Sequence, residues 1–187
     1  MRQRMTLRRA GRAGVLGVVV AVVAAACTAG PVATTTTTIS AATRVDCGSF
    51  IDTIDTDPAT VSYPRRVLDV AAFPGRVLDL GRDGEPGTPY QGLRFAKFGL
   101  VVRAGRALTL EIVKAEPGTA VMEWGAIRDP GWPATRLEVG PCPGDGSDWL
   151  VFAGGLWVSE EPSCVTLTVS SDGRTEQVRL GVEAPCP

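Results

Sequence analysis

The chain has 187 residues, 44% of them hydrophobic and 21% charged, with 19 Lys and Arg against 20 Asp and Glu. It contains no His, which excludes His-based catalytic triads and His-ligated zinc or iron sites. It also lacks Asn, so N-linked glycosylation is excluded and Asp-Gly becomes the natural two-residue hairpin turn.

Charge is unevenly placed. Arg2, Arg4, Arg8, Arg9 and Arg12 precede Cys27, and no acid does. Without residues 1–26, 14 basic and 20 acidic residues remain, a net charge of −6, which argues against binding nucleic-acid phosphates. Arg exceeds Lys 17 to 2 along the whole chain, which reads as coding bias in a GC-rich genome.

Residues 1–14 form a basic n-region, followed by the apolar run Val15–Ala26 (VLGVVVAVVAAA). That run falls short of the roughly 20 residues of a spanning helix and fits a secretory signal peptide, residues 1–26. Two processing routes are open. Small residues at Ala24 and Ala26 suit ordinary signal peptidase, which would release a secreted protein. The stretch Ala24-Ala25-Ala26-Cys27 also resembles the lipobox of bacterial lipoproteins, with Ala24 where that motif most often has Leu. The resemblance covers residues 1–27 alone. It implies that Cys27 carries a diacylglyceryl group and further acyl chains such as palmitate, placing the protein on the outer face of the cell membrane.

The cysteine count favours lipidation. Cys47, Cys142, Cys164 and Cys186 make an even set, suited to two disulfides in an exported domain, and Cys27 is left over at the lipidation position. Four cysteines permit three connectivities. The expected pairing is Cys142–Cys164, bracketing the most apolar strand, with Cys47–Cys186 tying the ends of the domain.

Thr28–Thr43 is small, polar and uncharged, with five consecutive threonines from Thr34 to Thr38. With Cys27 it forms the tether 27–43, a flexible stalk reaching about 20–25 Å as a coil. The domain occupies residues 44–187.

Pro and Gly interrupt residues 44–187 every 8–12 residues, and no long i, i+3, i+4 apolar pattern survives. The expected class is therefore all-β, an antiparallel β-sandwich of immunoglobulin-like architecture with about seven to nine strands. Arg66–Ala71 and Arg76–Leu80 are near copies that read as successive strands of a meander. Leu93–Arg103 and Arg106–Lys114 read as a hairpin around Ala104-Gly105, with a bulge or longer loop because a two-residue turn would give a poor core face. Thr119–Trp124 and Thr135–Val139 are shorter strands. Trp149–Val158 is an apolar strand bent at Gly154-Gly155. Cys164–Ser171 and Arg174–Val182 flank Asp172-Gly173, a strong hairpin signal that pairs Leu167 with Val178 and Val165 with Leu180. Val165, Leu167, Val169, Val178, Leu180 and Val182 then share one buried face.

Motifs for chemistry are sparse. Asp52, Asp55 and Asp57, and separately Asp145 and Asp148, lack the spacing of a calcium loop and read as solvated turns. No metal or cofactor is expected. Neither G-x-S-x-G nor S-x-x-K occurs, and no carboxylate pair stands out, so an enzyme is not expected. Of Trp124, Trp132, Trp149 and Trp157, most should be core. Trp132, in the Pro-flanked loop Asp129–Pro133, is the exposed aromatic expected to touch a ligand. The expected role is a membrane-anchored, extracytoplasmic binding module for an envelope protein or glycan. The alternatives are a small carboxylate-based hydrolase and a purely structural envelope domain.

Overall fold

The clearest local signal sets one edge of the fold. In the computed structural model, which describes residues 43–125 and 133–187, β13 (Ser163–Ser171) and β14 (Arg174–Val182) pair with Ser171 opposite Arg174, Leu167 opposite Val178 and Val165 opposite Leu180. Asp172 and Gly173 both have positive φ (49° and 71°), as a turn matched to the right-handed strand twist requires. The six alternating apolar side chains all enter the core, whereas Gln177 and Arg179 face solvent.

Two further sheets complete an all-β fold. The remaining strands are β1 (Thr43–Val45), β2 (Phe50–Ile54), β3 (Arg65–Val67), β4 (Ala71–Phe73), β5 (Leu80–Asp83), β6 (Arg94–Lys97), β7 (Leu100–Arg103), β8 (Leu108–Glu116), β9 (Ala120–Trp124), β10 (Arg136–Val139), β11 (Trp149–Phe152) and β12 (Gly154–Val158). They are ordered β1-β10-β8-β13-β14, β2-β11-β7-β4-β3 and β5-β6-β12-β9. All strand pairs are antiparallel except β1 with β10. Residues from all three sheets, among them Leu110, Leu167, Leu100, Leu150, Met122 and Leu156, form one contiguous core.

The all-β, antiparallel class therefore holds. The strand count differs, with 14 among the described residues in three sheets instead of seven to nine in a sandwich, and this strand order lends no support to an immunoglobulin-like plan. The excess arises because single apolar runs serve two sheets. Trp149–Val158 bends as expected at Gly154, but there it leaves one sheet as β11 and enters another as β12. Gly154 has φ +154°, and a Cβ on it would lie 1.9 Å from the Glu123 carbonyl oxygen.

Two expected pairings fail for the same reason. β7 pairs with β4 and β11, and β8 pairs with β10 and β13, so the Ala104-Gly105 turn joins different sheets and makes no hairpin. The near copies also diverge. Arg66–Ala71 contains a whole hairpin turn, with Val70 N donating to Val67 O (3.1 Å) and positive φ at Leu68 and Asp69. Arg76–Leu80 is mostly a connection, in which Leu78 bridges Val182 and Leu80 begins β5.

The disulfides are Cys47–Cys142 and Cys164–Cys186, correcting both expected pairs. Cys47 follows β1 and Cys186 follows β14, at opposite edges of one five-stranded sheet. Four strand spacings put those edges roughly 19 Å apart, beyond disulfide reach. Cys142 lies just past Val139, which pairs with Leu108, whereas Cys164 pairs with Glu116 at the other end of β8. That separation is about 26 Å along the strand. The bridges formed instead are local to the topology. Parallel β1 and β10 bring Cys47 and Cys142 out at the same end, and the chain after Gly181 folds back so that Cys186 reaches Cys164, the partner of Gly181.

Candidate functional site

Two sheets carry apolar side chains on the face turned away from the shared core, and tryptophans anchor both. Trp149 and Trp157 are eight residues apart and both project outward, as the period of two requires, while Leu150, Phe152, Leu156 and Val158 project inward. Trp149 is 1% exposed, covered by the guanidinium groups of Arg66 (5.6 Å to the ring centre) and Arg103 (5.3 Å). Asp69 pairs with both arginines, and Asp57 pairs with Arg66 at 2.7 Å. This patch is closed by its own ion pairs.

The outer face of the β5-β6-β12-β9 sheet differs. One row across it reads Phe95, Trp157, Val121, and the next reads Lys97, Gly155, Glu123. The first row is a packed aromatic cluster. Tyr90, from the β5–β6 loop, stacks on Trp157 at 4.3 Å between ring centres, Phe95 tilts against Trp157 at 4.7 Å, and Arg82 lies over Phe95 (5.0 Å) and Trp157 (5.1 Å). In the second row Gly155 offers no side chain. A Cβ there would meet the Ala96 carbonyl oxygen at 2.1 Å, so close strand packing dictates glycine. Lys97 and Glu123 consequently straddle an open position, roughly 10 Å apart across two strand spacings.

The result is an open groove of about 600 Å³ lined by Arg82, Phe95, Lys97, Glu123, Gly125 and Gly154, among others. Glu123 is held from behind. The Trp157 indole N–H donates to its Oε2 at 2.8 Å, and Tyr90, stacked on that indole, has the Glu123 charge beside its phenol. Burial, followed by the charge of Glu123 and the hydrogen bond to it, raises the Tyr90 pKa well above that of an ordinary phenol. The phenol therefore stays a neutral donor, and the carboxylate keeps lone pairs free to face the groove. Arg82 and Lys97 have no carboxylate within ion-pair distance among the described residues, although eight of the thirteen described arginines and lysines do.

A second hollow of about 540 Å³ lies beside the β13–β14 turn, lined by Arg44, Leu108, Thr109, Glu138, Ser170 and Asp172, among others. Arg44 there lies 3.8 Å from Glu138, and Asp172 is taken by Arg106. Among the described residues no aromatic side chain lines it.

None of the described sequence-derived candidates lines the groove. Cys27 and Trp132 lie outside the described residues, as do the signal peptide and all of the tether except Thr43. Trp124 is 1% exposed and donates to Phe98 O at 3.1 Å, so it is core. Asp57 caps a short 3₁₀ turn through Ala59 N (2.9 Å), Asp52 accepts from Thr53 N (2.8 Å), and Asp145 sits in a turn with positive φ. The groove residues were not singled out from sequence. One usable signal was present, since β12 is apolar on both faces, as a strand covered on both sides must be.

No family model matches the chain, and neither a curated protein nor a solved structure shows significant similarity to it.

Proposed function

We propose that this protein is a lipid-anchored, extracytoplasmic binding module of the cell envelope, and that the groove on the β5-β6-β12-β9 sheet is its ligand site. The observation that carries the binding role is the combination in one concavity of a fixed acceptor, Glu123, two cations, Arg82 and Lys97, without an acid partner among the described residues, and the aromatic ring of Phe95. Its volume falls within the range usual for small-molecule clefts. Two disulfides suit an oxidising, extracytoplasmic compartment, and among the described residues no helix is long and apolar enough to cross a membrane. Both disulfides also account for the four domain cysteines, which leaves Cys27 over for lipidation. A carboxylate-pair hydrolase would need a second carboxyl group facing the same groove, and among its described lining residues Glu123 is the one acid.

Two experiments test this reading. With Cys27→Ala, the protein should move from the membrane fraction to the medium, and equal membrane retention would overturn the anchor. Immobilised full-length protein should retain envelope material that the Arg82→Gln/Lys97→Gln double variant does not. Equal retention by both would remove the groove from the binding role.

A further inference from the structure

The groove's chemistry is more specific than a generic hydrophobic site. Among the described residues its two cations have no carboxylate partner and share one concavity, whereas Arg66, Arg94 and Arg103, for example, are each satisfied by neighbouring carboxylates. Arg82 lies over the rings of Phe95 and Trp157, and a guanidinium stacked in this way keeps its in-plane N–H donors for a planar anion. Lys97 provides a second positive charge on the same side of Gly155 as Phe95. Across Gly155, Glu123 offers acceptor lone pairs and a negative charge. A ligand filling this space must place an anionic group toward Arg82 and Lys97 and hydroxyl or amide donors toward Glu123, with C–H surface against the small exposed part of Phe95.

Glu123 also discriminates among anions. At a given distance its charge repels a dianion such as phosphate about twice as strongly as a single carboxylate, so the monoanion is favoured. The position of the groove discriminates against extended peptides. Its polar row runs from β6 across β12 to β9; β6 and β12 are inner strands, and on the outer side of β9 Met122 exchanges main-chain hydrogen bonds with Ala134, whereas strand addition requires an open edge.

We propose that this groove binds a carboxylate-bearing saccharide, with Arg82 and Lys97 holding the carboxylate and Glu123 accepting from ring hydroxyls. The assignment rests on the binding role above and names its ligand class. Titration of the full-length chain in detergent with digalacturonic acid, followed by tryptophan fluorescence, should give a saturable change, because Trp157 lies directly beneath Arg82. Maltose should bind at least tenfold more weakly. Arg82→Gln and Lys97→Gln, both at exposed positions and checked for unchanged melting temperature, should each weaken digalacturonate binding tenfold or more. Arg174→Gln, on a strand of a different sheet, should leave it unchanged. Equal binding of maltose, equally tight binding of inorganic phosphate or a polyglutamate peptide, or wild-type affinity in the Gln variants would overturn the proposal. If no probe binds while envelope material is still retained in an Arg82- and Lys97-dependent way, the saccharide assignment falls and the binding role stands. Loss of both overturns both.

Discussion

The indole N–H of Trp157 on β12 donates to Oε2 of Glu123 on β9 at 2.8 Å, a diagonal contact between adjacent strands, since the direct partner of Trp157 is Val121. This bond couples the folded core of the sheet to the polar wall of the groove. Trp157 is 3% exposed, so Glu123→Ala would leave its N–H buried without this acceptor. That variant should lose about 1–3 kcal/mol of stability, whereas Glu123→Gln, which keeps a carbonyl acceptor, should lose less than about 1 kcal/mol. Urea denaturation of the two variants against wild type checks the difference, and equal losses would show that the bond contributes little.

Gly154→Ala tests the sheet switch. The new Cβ would need to occupy space 1.9 Å from the Glu123 carbonyl oxygen at a φ of +154°, which L residues rarely adopt. A loss of about 3 kcal/mol is expected from the combined strain and overpacking. The denaturation midpoint reads it directly, and a near-neutral result would mean that β11 and β12 join differently.

The disulfides give a graded prediction. Cys47–Cys142 spans 95 residues and Cys164–Cys186 spans 22. In the chain-entropy model their removal costs about 4.5 and about 3.5 kcal/mol respectively. Cys47→Ser/Cys142→Ser should therefore melt below Cys164→Ser/Cys186→Ser, and non-reducing peptide mapping should recover these two linkages.

Tyr90 should ionise late. Burial first, and then the neighbouring Glu123 charge, favour its neutral form, so its contribution to stability is complete below the ordinary phenol pKa of about 10 and is lost as pH rises through the elevated folded value. The chain has two tyrosines. In an ultraviolet titration, the difference between wild type and Tyr90→Phe should show a phenolate step displaced to alkaline pH. A step at the ordinary position would place Tyr90 in water.

Asp57 acts at the other end of the pH scale. The hydrogen bond from Ala59 N, followed by that from Arg66, holds its carboxyl below the usual carboxylate range. A depressed pKa contributes stability that is present above the unfolded value and lost as pH falls through the folded one. Asp57→Ala should lower the melting temperature at pH 7, with the gap from wild type narrowing toward pH 2. A gap independent of pH would assign the loss to something other than this charge.

The sequence was legible where neighbours in the chain are neighbours in space. Asp172-Gly173 has a composition that only a tight hairpin suits, and the register of β13 and β14 followed from it. The bend at Gly154 was visible for the same local reason, but its consequence was not, because a glycine marks a break without naming the sheet that receives the next strand. The turn at Leu68-Asp69 is not legible because Leu68 disfavours positive φ and no glycine follows Asp69 to mark a hairpin turn, while packing of Leu68 against the core outweighs its preference. The cysteine pairing failed because it depends on strand order, which spacing along the chain does not encode. The groove draws on β5, β6, β9 and β12, separated by up to about 70 residues, and no local motif marks such a convergence.

The two disulfides also decide how the domain would carry tension. A pull applied between Thr43 and Pro187 passes through β1 to Cys47, crosses to Cys142, follows the backbone to Cys164, and crosses again to Cys186. Residues 48–141 and 165–185 lie off that line of force. The only long stretch that can be drawn out is the 22-residue step from Cys142 to Cys164, with a reach of roughly 75 Å. That stretch contains β11 and β12. The rest of the domain is short-circuited by sulfur, so the strands most directly loaded by stretching are β11 and β12, the second of which supplies Trp157 and the glycine floor of the groove.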